Sequence, residues 1–347
     1  MNLLTVTGSV RMDIVSYQAL HMAAQFQKWG HNVSLMCPAE SRLCVEAPKL
    51  DLAAKAFNFR RRLGFLDGPR FDIVHLYEPG PTSTRFLEKI SASSRVFVSQ
   101  ITLGGSVEMA RLKKLEPYVD RFIASCPSVR EDLSGAGIDP DKTFIIPPGI
   151  SPGRWESAML IKPVLGLKGP FKVGMISMDR TLGEQKFFLE VAKEVLTILP
   201  ETNFMVVGFR DERIRDMARE LGISHKVDVL WEREDVPEIM AMLNIFVKAA
   251  SRPGLSMSLM EAQASGVACV IPRVRGFSDF IVHKENGILA EPGDISSFTW
   301  AIISLIENPA FCRSIAKTAY DRLNFNMSMP VVANLMRCYY EDALASS

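Results

Sequence analysis

Short apolar strands alternate with helical stretches along almost the whole of this 347-residue chain, and no other feature limits its fold as much. "LLTVTG" near the start leads into a helical run from Ser16 to Trp29, which Gly30 closes as a C-cap, and "NVSLMC" follows. "FDIVHL", "RVFVSQ", "RFIAS" and "TFIIP" continue the series. Such an order implies parallel strands with helices over both faces, because each crossover lays its helix on the sheet. The pattern lapses between 148 and 170, where Pro and Gly are frequent, as in an inter-domain linker. It restarts with "FKVGMIS", "NFMVVG", "KVDVL", "IFVKAA", "ACVIP" and "NGILAEP", with helices expected at 184–198, 211–221, 235–243 and 257–265. Helices at about 295–307, 309–323 and 328–345 close the chain. The expected class is therefore α/β, with two doubly wound, Rossmann-like domains at 1–155 and 156–327. Open parallel sheets take ligands at the carboxyl ends of their strands, where strand order reverses, so a cleft between two such domains is the expected site.

Composition removes several classes of function. A formal net charge of +1 offers no basic footprint for nucleic acid. No apolar run reaches the roughly 20 residues that a membrane span needs. The start "MNLLTVTGSV" reads as a strand and a turn, without the basic region and cleavage site of a signal peptide. The six cysteines are scattered, with no C-x-x-C pair, as expected of free thiols in a reducing cytoplasm. None of the five histidines is paired at i,i+4, so no zinc signature is present. The lone D-x-D at 139–141 lies in a helix-to-strand turn and reads as turn chemistry.

The stretch "SRPGLSMSLMEAQASGVACVIP" (251–272) places a glycine and two serines at a helix start, with one carboxylate a turn further in. First-turn N–H groups lack internal partners and, with the helix dipole, favour an anion. Gly254 allows close backbone approach, and Leu255, Ser256, Met257 and Ser258 supply N–H and hydroxyl donors. Glu261 is placed to accept hydrogen bonds from a diol. The plainer alternative is that Ser256 caps the helix and Glu261 is a solvated carboxylate.

The chain resembles the retaining, nucleotide-sugar-dependent glycosyltransferases of family 4, which have the GT-B fold. The likeness rests on "QKWGHNVSLMCP" (27–38), "DIVHLYEP" (72–79), "FIASCPSVREDLSGAGIDPDKTFIIPPGI" (122–150) and above all "MEAQASGVACVIPRVRGFSDFIVHKENGILAEPGD" (260–294). "NFNMSMPVVANLMRCYYEDAL" resembles the family's last helix, which implies that 328–347 packs back on the N-terminal domain. The resemblance implies an acceptor-side first domain and a nucleotide-sugar-binding second domain. It implies that the Gly254 loop cradles the donor's sugar and diphosphate and that Glu261 holds the ribose. In the family's E-x7-E pair the second glutamate falls on Glu261 and the first on Pro253. An Arg and a Lys of the family neutralise the leaving diphosphate. This chain offers Arg180 and Lys186 in the same loop at a different spacing, with Glu184 close to the lysine's place. Stabilising charge that develops in the transition state is usually the largest catalytic contribution.

Other positions complete the expected site. Gly8 and Ser9 turn the chain after the first strand, and Arg11 can reach a donor phosphate or an acidic acceptor. The family's histidine after the fourth strand is replaced by "VFVSQITLGG", which offers Gln100 and Thr102 to the acceptor or sugar side. His75 belongs to the same side or to strand packing, and Trp231 stacks on a base or packs. "AKAFNFRRRLGFL" (54–66) alternates aromatic and basic residues, which suits a membrane surface through 57–66 or a lipid-linked acceptor, or else a solvated face. Closure of the two domains is expected to exclude water.

The expected activity is sugar transfer from a nucleotide-diphosphate sugar to a glycan, lipid-linked or protein hydroxyl with retention. No bound cofactor, metal or nucleic acid is expected, and the setting is cytoplasmic, at the membrane surface. The alternative is a degenerate homologue that binds a nucleotide, a glycan or a partner enzyme without turnover.

Overall fold

The computed structural model describes residues 1–57, 70–78, 84–151, 153, 155, 170–178, 180–233, 235–249 and 254–346. Two compact units emerge, one of Met1–Ser151 with Asn326–Ser347 and the other of Pro152–Phe325. Most of the Pro- and Gly-rich stretch, Pro253, and the basic segment beyond Phe57 lie outside the described residues.

Unit 1 carries a seven-stranded sheet of order β3-β2-β1-β4-β5-β6-β7. The strands are β1 Asn2–Thr7, β2 Asn32–Pro38, β3 Ala54–Phe57, β4 Ile73–Tyr77, β5 Arg95–Gln100, β6 Arg121–Ala124 and β7 Thr143–Ile145. All six strand pairs are parallel. Burial on both faces explains the continuous apolar runs, of which β4 is buried at every position. The helix Ile14–Lys28 starts at a capping box, where Asp13 accepts from the Ser16 N–H and Ser16 accepts from the Asp13 N–H. It stops where Gly30 takes φ +83, a left-handed conformation that glycine adopts without strain. Of the stretch 54–66 read as amphipathic, Ala54–Phe57 forms the edge strand β3 beside β2, and 58–66 lies outside the described residues.

The helix Met329–Ala345 belongs to unit 1 and packs on the helix Ile14–Lys28. Its start is fixed by the Ile150 N–H to Met327 O and Met329 N–H to Ile150 O bonds, both 2.8 Å. Gln18 holds the same segment from the other side, donating to Gly149 O at 2.7 Å and accepting from Gly149 N–H at 2.8 Å.

Unit 2 carries a six-stranded sheet of order β10-β9-β8-β11-β12-β13. Here β8 is Lys172–Ser177, β9 Asn203–Gly208, β10 Val227–Trp231, β11 Ile245–Val247, β12 Ala268–Pro272 and β13 Ile288–Ala290. The helices Gly183–Ile198 and Ile295–Glu307 pack together over it, with Phe188, Val191, Val195, Phe298 and Ile302 in one core with Phe204 and Val206. Each such fully buried large side chain contributes about 1.5–3 kcal/mol of apolar burial. Among the described residues no helix is long and apolar enough to cross a membrane.

His75 lies at the centre of unit 1 and is fully buried. Its Nδ1 is hydrogen-bonded to the Tyr340 hydroxyl and its Nε2 to Ser99 Oγ at 2.8 Å. The neighbouring Tyr77 ring stacks on it with centroids 4.2 Å apart. Burial lowers its pKa from the ordinary 6.5 to about 3. An imidazole held neutral in the fold but free to protonate when unfolded makes the unfolded chain bind more protons below pH 6.5. Stability contributed by neutral His75 is therefore complete above pH 6.5 and falls as pH drops toward 3. Between pH 7.5 and 5 the loss is about 2 kcal/mol from this group. The variant His75→Gln is expected to be less stable at pH 7.5 yet to lose stability less steeply on acidification, as read by urea unfolding. An unchanged slope would show that the imidazole is not sealed.

Candidate functional site

In unit 2 the strand order reverses between β8 and β11, so their carboxyl ends mark where a ligand would sit. The segments that follow these two strands share a polar cluster there. After β8 the chain turns through Leu182, which has φ +64, into the helix Gly183–Ile198. A left-handed leucine costs roughly 1–2 kcal/mol; burial of its side chain in the unit 2 core holds it there.

Glu184, in the first turn of that helix, is the centre of a polar cluster. Its Oε2 accepts from Ser177 Oγ at 2.6 Å and from Lys248 Nζ at 2.8 Å. Ser177 ends β8, and Lys248 directly follows β11. The Lys248 and Glu184 side chains are only 13% and 19% exposed. Lys248 was not anticipated from the sequence. The available signal was a cation ending the otherwise apolar run "IFVKAA".

The expected basic residues lie on either side of this cluster. Arg180 is exposed and its guanidinium lies 5.6 Å from the Phe209 ring centroid. Lys186, 67% exposed, is directed to Glu190, 4.0 Å away along the same helix. Trp231, at the end of β10, is half-buried, with the Arg215 guanidinium 4.6 Å from its ring centroid.

The Gly254 loop precedes the helix Met257–Ala264. Ser256 is its N-cap, accepting from the Leu259 N–H at 3.4 Å, and its hydroxyl lies 2.8 Å from that of Ser258. The capping reading is thus realised, and the remaining first-turn N–H groups have no intrahelical partner. Leu255, Met257 and Glu261 are half-buried. The loop is held from behind by Gly276, where the Gly254 N–H donates to Arg275 O at 3.1 Å. A Cβ on Gly276 would lie 2.5 Å from Gly254 O, and Gly276 itself has φ +88.

In unit 1 the reversal falls between β1 and β4. Gly8 and Ser9 follow β1 and are half-buried. Ser9 Oγ donates to Asp13 Oδ2 at 2.5 Å and accounts for the shape of the turn, while Arg11 is exposed. Glu78 follows β4 with φ +42 and sends its carboxylate to the loop after β5. It accepts from Ile101 N–H at 3.1 Å, Thr102 N–H at 2.5 Å and Thr102 Oγ1 at 2.7 Å. Desolvation raises its pKa, opposed by the Thr102 hydrogen bonds. Gln100 is fully buried and donates to Thr102 O at 2.8 Å. His75, expected on the acceptor or sugar side, is corrected to a core residue because Tyr340 and Ser99 enclose both ring nitrogens. Glu78 was also missed, although a carboxylate directly after an apolar strand was its signal.

Residues 162–322 match the family "Glycosyl transferases group 1", and residues 15–154 match "Glycosyltransferase Family 4". The chain belongs to these glycosyltransferases. It is 24% identical over 264 residues to the UDP-Gal:alpha-D-GlcNAc-diphosphoundecaprenol alpha-1,3-galactosyltransferase of Escherichia coli, covering 69% of this chain and 67% of that one. It is 30% identical over 135 residues to the N,N'-diacetylbacillosaminyl-diphospho-undecaprenol alpha-1,3-N-acetylgalactosaminyltransferase of Campylobacter jejuni, covering 38% and 36%. Among solved structures, HepE of Anabaena in complex with UDP matches with a TM-score of 0.83 at 16% identity over 100% of both chains. A second structure of the same protein, with UDP-glucose, matches at 0.80. These likenesses bear out the GT-B fold of this glycosyltransferase.

The close approach of Gly276 to Gly254 gives a controlled test of how the loop is held. Gly293 has φ +74 and nothing within 4 Å of an added Cβ. Gly293→Ala is expected to cost about 1 kcal/mol, the left-handed penalty alone. Gly276→Ala is expected to cost more, because backbone must also move. Thermal unfolding of the two variants checks the difference.

Proposed function

We propose that this glycosyltransferase moves a sugar from a nucleoside-diphosphate sugar to a hydroxyl of a lipid-linked or other glycan acceptor, with retention of configuration. The observation that carries the reading is that a helix N-terminus follows the carboxyl end of β8, and that Lys248, the Gly254 loop and a second helix N-terminus follow that of β11. Helix N-termini and a poorly solvated ammonium are suited to an anion. Charge developing on a departing diphosphate would be stabilised there without reorganisation. The complexes of HepE with UDP and UDP-glucose support a donor of this class. The undecaprenol-linked substrates named for the Escherichia coli and Campylobacter jejuni relatives support a lipid-linked acceptor and work at a membrane surface. Retention is the geometry of family 4, which this chain resembles in both halves.

In this reading unit 2 takes the donor and unit 1 the acceptor. The Gly254–Ser258 loop holds the sugar and diphosphate, Glu261 the ribose and Trp231 the base. Arg180 and Lys186 offer further positive charge to the phosphates, while Gly8, Ser9 and Arg11 follow β1 at the strand reversal of unit 1. Thr102, fixed by Glu78, and Gln100 shape the acceptor side.

Titration with UDP, GDP, ADP and dTDP, followed by transfer from the matching hexose donor to an undecaprenyl-diphosphate sugar, tests the proposal. The anomeric configuration of the product, read by proton NMR, tests retention. Glu261→Ala is expected to weaken binding of the nucleotide by roughly 10- to 100-fold, the worth of hydrogen bonds to a charged group, with little change in melting temperature. Unchanged affinity would remove Glu261 from the site, and binding of none of the four nucleotides would overturn the donor class.

A further inference from the structure

We propose that Lys248 is the principal ligand of the donor's diphosphate in this chain, and that Glu184 and Ser177 are the residues that position it. The inference rests on the nucleotide-sugar reading of unit 2 and assigns its charge to a side chain outside the loop where the sequence places it.

Position comes first. Lys248 leaves the end of β11 beside the end of β8, the two strands between which the order reverses. Its ammonium reaches across that junction to Glu184 Oε2 at 2.8 Å, and Ser177 Oγ holds the same oxygen at 2.6 Å. The carboxylate is thus fixed from two strands and in turn fixes the ammonium.

Electrostatics supply the second argument. Lys248 is 13% exposed, whereas Lys186 is 67% exposed and paired with Glu190 on the outer face of its helix. Charges in poorly solvated surroundings interact far more strongly than solvated ones at the same distance. Arg180 is exposed as well. An anion arriving at the strand ends therefore gains most from Lys248.

Donor capacity is the third. An ammonium has three N–H donors, and Glu184 occupies one. The others are available to phosphate oxygens without breaking the pair. Ion pairs this buried contribute little net stability, and exchange for apolar residues is often neutral. A binding role and a purely structural one therefore predict different outcomes when the pair is removed as a unit.

The test uses three variants: Lys248→Met, Glu184→Gln and the double variant. Each is titrated with whichever of UDP, GDP, ADP and dTDP binds the wild type, and with the corresponding monophosphate. Lys248→Met removes the ammonium from beside the poorly solvated Glu184 carboxylate, so a lower melting temperature and at least tenfold weaker diphosphate binding are expected. The double variant removes both charges and is expected to regain most of the melting temperature, yet to remain at least tenfold weaker toward the diphosphate. Its preference for diphosphate over monophosphate should shrink by a similar factor. Glu184→Gln keeps an amide oxygen that can accept from Lys248 Nζ and Ser177 Oγ but removes the negative charge from beside the phosphates, so it is expected to bind at least as tightly as the wild type. Wild-type affinity and preference in the double variant would overturn the role of Lys248 while leaving the donor class intact. Weakening by Glu184→Gln as large as that by Lys248→Met would mark the pair as structural and also overturn it. A wild type that binds no nucleoside diphosphate overturns the donor reading and this inference together.

Discussion

The pairing of β11 with β8 is the contact on which the unit 2 site depends. It aligns Ile245 with Val173 and Phe246 with Gly174. Leu243 packs against Gly174, where a Cβ would lie 2.6 Å from both of its methyl carbons. Leu243, just before β11, is buried in the space that this glycine leaves. Once the two strands are in register, Ser177 and Lys248 emerge side by side, and the helix after β8 delivers Glu184 between them. A parallel sheet covered on both faces leaves its strand ends as the place for chemistry. The polar cluster is therefore a consequence of topology.

Much of this architecture was legible in the sequence because parallel strands buried on both faces read as unbroken apolar runs. β4 and β12, each buried at every position, are the clearest cases. β3 was not legible, since a four-residue edge strand next to a basic segment carries no such run. The first helix, read from Ser16, begins at its Asp13 cap, whereas the helix start at Ser256 was legible through local capping chemistry. Side chains whose partners are remote were not. His75 meets Tyr340 across 265 residues, and Lys248 meets Glu184 across 64. No local pattern announces such a partner, so His75 was left open between the site and strand packing, and Lys248 read as nothing.

Unit 1 uses its buried polar groups differently. Glu78 adopts φ +42, a conformation that a non-glycine residue keeps only when its surroundings impose it. The imposed turn directs the carboxylate to the N–H groups of Ile101 and Thr102, donors that β5 leaves behind as it ends. The loop after β5 is thus fixed by a carboxylate from the neighbouring strand, and Gln100 is folded inward onto Thr102 O. The C-terminal helix is fixed in the same manner, through Tyr340 to His75. In both devices a buried polar side chain is bonded to a remote part of the unit, Glu78 to Thr102 and His75 to Tyr340, which favours rigidity.

The two units consequently differ in what their strand ends offer. At the reversal in unit 1, acceptors prevail: Glu78 and Asp13 are bonded to nearby protein donors, and Arg11 is exposed. At the reversal in unit 2, donors prevail. One carboxylate, Glu184, faces Lys248, and the N-termini of the helices Gly183–Ile198 and Met257–Ala264 add partial positive charge. Ser256 satisfies only part of the second helix's first turn. An excess of donors in poorly solvated surroundings is complementary to a polyanion and poorly matched to a neutral sugar. This asymmetry, more than any single residue, is why the diphosphate is assigned to unit 2.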